Sequence, residues 1–333
     1  MHSDRRALLA NTLGLAASWL GSASWSAAVA QPAGAYPNRL VKLVVPYPAG
    51  IPIDVLLRSI ALRLSDVFKQ PVIVENKPGA GANIGIEYVA RSPADGYTIL
   101  STSSNFVANP ALYSKVNYDP LKDFTPVIGL IKSPSVLMVA GDSPIQSVAD
   151  LIAQAKAKPD ALKYASGGNG TLAHFAAEMF KSAANIQALH VPYKGSPEIM
   201  TSLLSRITDF SFPVAASTLG QLKSGKFRAL AVTAQKRMAL LPDVPTMQEA
   251  MKNKGFELES ENGLVVPAGT ANEVVQRLYQ EIARIMRDPA IADPVVASGY
   301  EIVASAPSAF GASLRSDIGK YNTIIKQIDL KLD

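Results

Sequence analysis

Short apolar runs alternate with longer stretches whose apolar positions recur every three or four residues, through most of the chain beyond residue 35. Short apolar runs predict strands, and the longer period predicts helices packed against them. Strands are expected at 40–45, 72–74, 98–101, 127–130, 136–139, 162–165, 188–191, 227–232 and 264–266. Helices are expected at 55–68, 147–157, 171–184, 197–205, 273–287 and 307–327, with Asn272 and the Ser305 to Ser308 stretch as N-terminal caps. Strand and helix in alternation imply doubly wound α/β architecture.

Two breaks interrupt the rhythm, Lys132-Ser133-Pro134-Ser135 and a polar stretch at 252–262 ahead of Gly263-Leu264-Val265-Val266-Pro267. They divide the chain into a discontinuous lobe, 35–132 plus 256–333, and an inserted lobe, 133–255. A chain that crosses twice between lobes makes a hinge, and a hinge places a ligand in the cleft.

Each lobe contains one strand that ends in a Gly/Pro turn opening into a helix. In the first, Leu40-Val41-Lys42-Leu43-Val44-Val45 leads through Pro46-Tyr47-Pro48-Ala49-Gly50-Ile51-Pro52-Ile53-Asp54; in the second, Tyr164-Ala165 leads through Ser166-Gly167-Gly168-Asn169-Gly170-Thr171. The first N–H groups of a helix lack partners within it, and aligned peptide dipoles favour negative charge there. A carboxylate can be held at such a turn without arginine. An ordinary βα connection has the same outline, so both readings stay open at each turn.

Residues 1–30 have the form of an export signal: Arg5 and Arg6, an apolar stretch from Ala7 to Leu20, and Ala28-Val29-Ala30 before Gln31. Asp4-Arg5-Arg6-Ala7-Leu8-Leu9 suits either a twin-arginine or a general secretory route. The protein is therefore expected in the periplasm. About 300 residues would remain, enough for two cored domains. The formal charge of +5 falls to +4 once two arginines and one aspartate leave with the leader, and no basic run concentrates it, so no nucleic-acid partner is expected. The chain has no cysteine, which excludes disulfides, thiolate metal sites, cysteine nucleophiles and a lipidated cysteine.

Catalytic patterns are scarce. Beyond the leader the histidines are His174 and His190, without metal-ligand spacing, and Lys194-Gly195-Ser196 reverses the order of a phosphate loop. Gly79-Ala80-Gly81-Ala82-Asn83-Ile84-Gly85 invites a dinucleotide reading, but its third glycine comes one position late and Ile84 would crowd the helix. No cofactor and no metal are expected.

Several segments together resemble a known family. They are Pro46-Tyr47-Pro48-Ala49-Gly50 with Asp54; Val74-Glu75-Asn76-Lys77-Pro78-Gly79-Ala80-Gly81-Ala82-Asn83-Ile84-Gly85; and Ala94-Asp95-Gly96-Tyr97-Thr98. His190-Val191-Pro192-Tyr193-Lys194-Gly195, Pro242-Asp243-Val244-Pro245-Thr246 and Gly263-Leu264-Val265-Val266-Pro267-Ala268-Gly269-Thr270 continue the match in order. The chain thus resembles the tripartite tricarboxylate transporter solute receptors, also called Bug receptors. The resemblance implies a type II periplasmic-binding-protein fold, two doubly wound α/β lobes joined by a hinge with a ligand cleft between them. It implies a monomer without catalysis that closes on a small carboxylate and presents it to the inner-membrane permease subunits of a tripartite transporter.

Carried onto matching positions, the family's pincer suggests Tyr47, Ala49, Gly50, Ile51 and Pro52 on one side, with Ser166, Gly168, Asn169 and Thr171 on the other. The stretch Ser101-Thr102-Ser103-Ser104-Asn105 matches a polar strand end that contacts a carboxylate, adding Ser101, Ser103 and Asn105. A hydroxyl-rich helix cap is the other reading of that stretch. His174, near Ser166 and Thr171, and Phe212 complete the expected contacts, with core packing an equal reading for Phe212.

Two departures from the family pattern bear on the ligand. Ile51 replaces a glycine and adds an apolar wall, and Phe212-Pro213-Val214 is less polar than the Asp-Asn that many members carry after that strand. Both disfavour amino-acid and citrate-like ligands and point to an aromatic mono- or dicarboxylate of the terephthalate type. A periplasmic hydrolase of similar fold, with His174 as base, and a ligand-sensing co-receptor for a membrane kinase remain as alternatives.

Overall fold

The apolar run at 40–45 becomes a buried strand because it pairs on both sides, and the same logic builds the rest of the sheet around it. The computed structural model describes residues 36–332, so the expected export signal lies outside the described residues. The chain begins β1 (Val41–Val45), α1 (Pro52–Phe68), β2 (Val72–Asn76), α2 (Asn83–Ala90), β3 (Thr98–Ser101), α3 (Ser104–Leu112) and β4 (Phe124–Pro134). It continues with β5 (Val136–Ala140), α4 (Val148–Ala157), β6 (Lys163–Ser166), α5 (Leu172–Ala184), β7 (Leu189–Pro192), α6 (Ser196–Leu204), β8 (Phe210–Ser211), α7 (Leu219–Leu222), β9 (Phe227–Val232) and α8 (Met247–Met251). It ends with β10 (Glu259–Pro267), α9 (Asn272–Ile285), α10 (Pro289–Ala297), β11 (Glu301–Ser305) and α11 (Pro307–Gln327).

Two sheets result, ordered β11-β4-β10-β3-β1-β2 and β7-β6-β8-β5-β9. In the first, β1 runs parallel to β2 and β3, while β10 is antiparallel to β3 and β4. In the second, β6 runs parallel to β7 and β8, and β5 is antiparallel to β8 and β9. Each sheet is therefore a parallel βαβ core edged by antiparallel strands belonging to the segments that carry the chain between lobes.

Those segments meet at one polar knot. Only Ser135 separates β4 from β5. Its N–H donates to Thr233 Oγ1 at 2.8 Å, and its carbonyl accepts from the Thr233 N–H at 2.9 Å. Thr233 Oγ1 donates to the Leu258 carbonyl at 2.5 Å, and the Leu258 N–H returns a bond to the Thr233 carbonyl at 3.0 Å. The knot satisfies buried polar groups where the pairing passes from one sheet to the other.

The expected strands all form; pairing lengthens β2, β4, β5 and β10, while β1, β6 and β7 begin one residue later than expected. Two were not expected. β8 is two residues long, too short to show a period, and β11 is an edge strand containing only three apolar residues. Among helices, α2 was hidden behind the glycine-rich run and α10 behind Pro289 and Pro294. The glycines around α2 serve packing: a Cβ on Gly85 would come 2.8 Å from both the Lys77 carbonyl and Pro46 Cβ. The expected caps also move. Ala271 and Ala306 occupy the N-cap positions of α9 and α11, and no side chain caps either helix.

Phe212 is a correction to the expected ligand contacts. Its ring is fully buried, 5.8 Å from Phe180 and 6.3 Å from Phe210, in the core of the second lobe. Phe212→Ala should therefore cost about 3–5 kcal/mol in denaturant unfolding at unchanged m. A loss below about 1 kcal/mol would remove the ring from the core.

Candidate ligand-binding cleft

Loops at the carboxyl ends of parallel strands face the crevice of an open α/β sheet, and four such loops open directly into helices here. The turn after β1 starts α1, Thr102-Ser103 starts α3, the turn after β6 starts α5, and Tyr193 to Gly195 starts α6. All four helices point their N-termini at one cleft of about 180 Å³, through Ile51 and Pro52, Ser103 and Ser104, Thr171 and Leu172, and Gly195 and Ser196.

The first-turn N–H groups of a helix have no intrahelical acceptor. None of these four helices has a side-chain cap hydrogen bond. Helices α4, α8 and α10 are closed by Ser147, Thr246 and Asp288, whereas α2, α7, α9 and α11 begin uncapped as well, so it is the convergence of the four starts and not the missing cap that sets the cleft apart. Pro52 and Pro197 each remove one donor, and Glu198 in the first turn of α6 accepts from the Lys194 N–H at 2.9 Å; the remaining amides and the four dipoles turn partial positive charge toward the cleft. Among the described residues, Lys194, exposed at the rim, is the only lysine or arginine lining it.

The first turn is pinned from below by Asp54, which is 1% exposed. Its carboxylate accepts from the Gly50 N–H at 2.9 Å, Arg58 Nε at 3.0 Å and Asn76 Nδ2 at 2.9 Å, while Asn76 Nδ2 also reaches the Tyr47 carbonyl at 3.0 Å. Burial disfavours the charge, but Arg58, the Gly50 N–H and Asn76 outweigh it and hold the Asp54 pKa below the ordinary carboxylate value.

The second turn rests on imidazoles. The Gly170 N–H donates to His174 Nδ1 at 3.1 Å, and Ser166 Oγ lies 2.6 Å from His190 Nε2 while accepting from the Gly168 N–H at 3.1 Å. The two imidazoles stack 4.3 Å apart, and Tyr164 stacks on His190 at 4.7 Å. Tyr164 in turn donates to Glu178 at 2.5 Å, which pairs with Lys181 at 2.8 Å. Burial, then the neighbouring His190 and Lys181, pushes His174 down to about 3; burial, with Lys181 assisting against Glu178, pushes His190 down to about 4. Both rings are neutral at pH 7.

The start of α3 links the turns. Tyr47 Oη bonds Ser103 Oγ and donates to Asn105 Oδ1 at 2.9 Å, and burial pushes its pKa up to about 12, so it remains a neutral hydroxyl. Asn105 Nδ2 donates to the Asn169 carbonyl at 3.3 Å, and Ser104 Oγ to the Gly170 carbonyl at 3.4 Å, bonds that span the two lobes.

Of the residues expected from the sequence, Tyr47, Ile51, Pro52, Ser103, Asn105 and Thr171 line the cleft. The others are placed elsewhere for identifiable reasons. Ala49 is exposed, and Gly50 faces a neighbouring hollow with its N–H committed to Asp54. Ser101 is buried in β3, paired with Leu264. Ser166 and His174 are buried beneath the turn that they support. The carbonyls of Gly168 and Asn169 are occupied by Thr171 and Asn105, and Gly167 lines the cleft instead. Sequence reasoning missed Lys194, Ser196, Ser260, Asn262 and Tyr300. Lys194 and Ser196 carried a signal, since a Pro-Tyr-Lys-Gly-Ser run after a strand is itself a strand-to-helix turn.

Comparison with known proteins agrees with this geometry. The model of the tripartite tricarboxylate transporter family receptor matches residues 56–330. A Pseudomonas sp. (strain P51) protein described as the UPF0065 protein in the tcbD-tcbE intergenic region is 34% identical over 301 residues, 90% of each chain. Among solved structures, R. palustris Rpa4515 with adipate superposes with a TM-score of 0.83 at 33% identity, covering 89% of this chain and 99% of that one. MatC from Rhodopseudomonas palustris with bound malate gives 0.81 at 26% identity, covering 87% and 100%.

A histidine whose folded pKa lies below its unfolded value of about 6.5 binds fewer protons when folded, so stability is complete above pH 6.5 and falls as pH drops toward the folded pKa. The melting temperature should therefore decline between pH 6.5 and about 3. His174→Gln should flatten that decline, and an equally steep decline in the variant would contradict the neutral-imidazole support.

Proposed function

We propose that this chain, which belongs to the tripartite tricarboxylate transporter receptor family, binds in its cleft an aromatic mono- or dicarboxylate of the terephthalate type and hands it to the permease subunits of a tripartite transporter. Members of the family are periplasmic solute-binding receptors, not enzymes, and the chain is a receptor of that kind. No helix among the described residues is long and apolar enough to cross a membrane.

The convergence of four uncapped helix N-termini on one cleft carries the reading of an anionic ligand. Apolar walls support a flat or apolar body: Ile51, Ile53 and Pro52 from the first lobe face Ile199, Pro213 and Val214 from the second. The apolar wall expected from Phe212 comes from the two residues after it. The relative solved with adipate holds an acid with carboxylate ends and an apolar middle, the same division of chemistry.

Binding proceeds by closure. A micromolar complex needs about 8 kcal/mol net, within reach of several charge-assisted bonds and one buried apolar body. Ligand bonds to both lobes favour the closed arrangement over the open one, adding to the Asn105 to Asn169 and Ser104 to Gly170 links. With a dicarboxylate, Lys194 takes the second charge at the rim.

Calorimetric titration should show terephthalate or benzoate binding at micromolar or tighter Kd, with dimethyl terephthalate inert. Tight citrate or glutamate binding with no aromatic binding would reject the assignment. Lys194→Met should weaken terephthalate about fivefold and leave benzoate within about twofold, as expected for an exposed ion pair.

A further inference from the structure

Beside the cleft lies a second hollow of about 310 Å³, between the start of α1 and α10. Its walls are Val55 and Leu56 on α1, Ile291, Pro294 and Val295 on α10, and Ala216 from the second lobe. Among the described residues no charged side chain lines it; its polar side chains are two serines and the Tyr300 hydroxyl. Pro52 and Tyr300 belong to the walls of both the cleft and the hollow.

Tyr300 is set in place from across the lobes. Gly299 before it has φ +88°, and a Cβ there would come 2.4 Å from Leu219 Cδ1, so the turn lies tight against the second lobe. The turn that carries Tyr300 is thus placed by the second lobe as well as by α10, whose Val295 carbonyl accepts from the Tyr300 N–H at 3.3 Å.

We propose that this hollow is an apolar subsite of the ligand cleft, occupied past Tyr300 by the hydrocarbon tail of a monocarboxylate whose acid group sits among the helix N-termini. The inference rests on the carboxylate reading of the cleft and deepens it to acids with extended apolar tails. The amides at its edge are already engaged, the Gly50 N–H by Asp54 and the Ala290 N–H by Asp288, so they do not call for a second carboxylate, and Pro52 and Tyr300, shared by both walls, set the hollow directly against the cleft within reach of one ligand. Burying each added methylene favours binding about threefold or more.

The test titrates the purified protein with butanoate, hexanoate, octanoate and decanoate, each in competition with benzoate. Affinity should rise at least twofold per added methylene from hexanoate onward, with benzoate displaced. Val55→Glu and Ala290→Glu alter exposed positions on the hollow's rim, so the fold tolerates both. Each should abolish the rise with chain length and leave benzoate affinity within about twofold. A flat length series with benzoate still bound, long acids that fail to compete, or a rise that survives both variants would overturn the subsite alone. Failure of every acid to bind would overturn the reading of the cleft with it.

Discussion

Unpaired peptide N–H groups at the starts of four helices are the constraint around which this protein is organised. A helix start needs acceptors, and in most proteins a side chain one residue upstream supplies them. Here Ile51, Ser103, Thr171 and Gly195 stand at the N-caps facing the cleft, and none closes its helix. The missing acceptors are left for water or for an anion, and they are contributed equally by both lobes. An acid between the lobes meets donors that the fold has already oriented.

Free donors are useful only if the turns bearing them are rigid, and each turn is held by a different device. Beneath the first, a buried carboxylate gathers Gly50, Arg58 and Asn76. Beneath the second, stacked neutral imidazoles accept from or bond to the turn through Gly170 and Ser166. The charge of Asp54 is spent on Arg58 and never reaches the cleft, while His174 and His190 carry none. Neither support therefore cancels the positive ends of the helices above it.

Much of the architecture was legible because strand and helix periods were undisturbed, and the two strand-to-helix turns were legible because Gly and Pro punctuate them. Ile51 was readable as a wall, since a β-branched residue at a helix start must project somewhere. Phe212 was not resolved from the linear pattern, because it follows the end of the two-residue strand β8, where no period shows that Phe210, Ser211 and Phe212 are all buried. Ser166 and His174, expected beside the ligand, lie buried beneath the turn, because loop position alone does not say which way a side chain points. Their role depends on pairing that places Ser166 beside Pro192 and Tyr164 beside His190. Tyr300 left no signal at all, because it reaches the cleft from the α10 to β11 turn, about 250 residues from the first turn.

Ser135 alone separates the strand ending one lobe from the strand beginning the next, and Thr233 clasps it to the return segment at Leu258. So short a connection fixes where the two sheets meet, and the clasp draws the outgoing and the returning strand into one joint. Cargo adds nothing to that joint, which is closed by backbone groups and one hydroxyl of the chain itself.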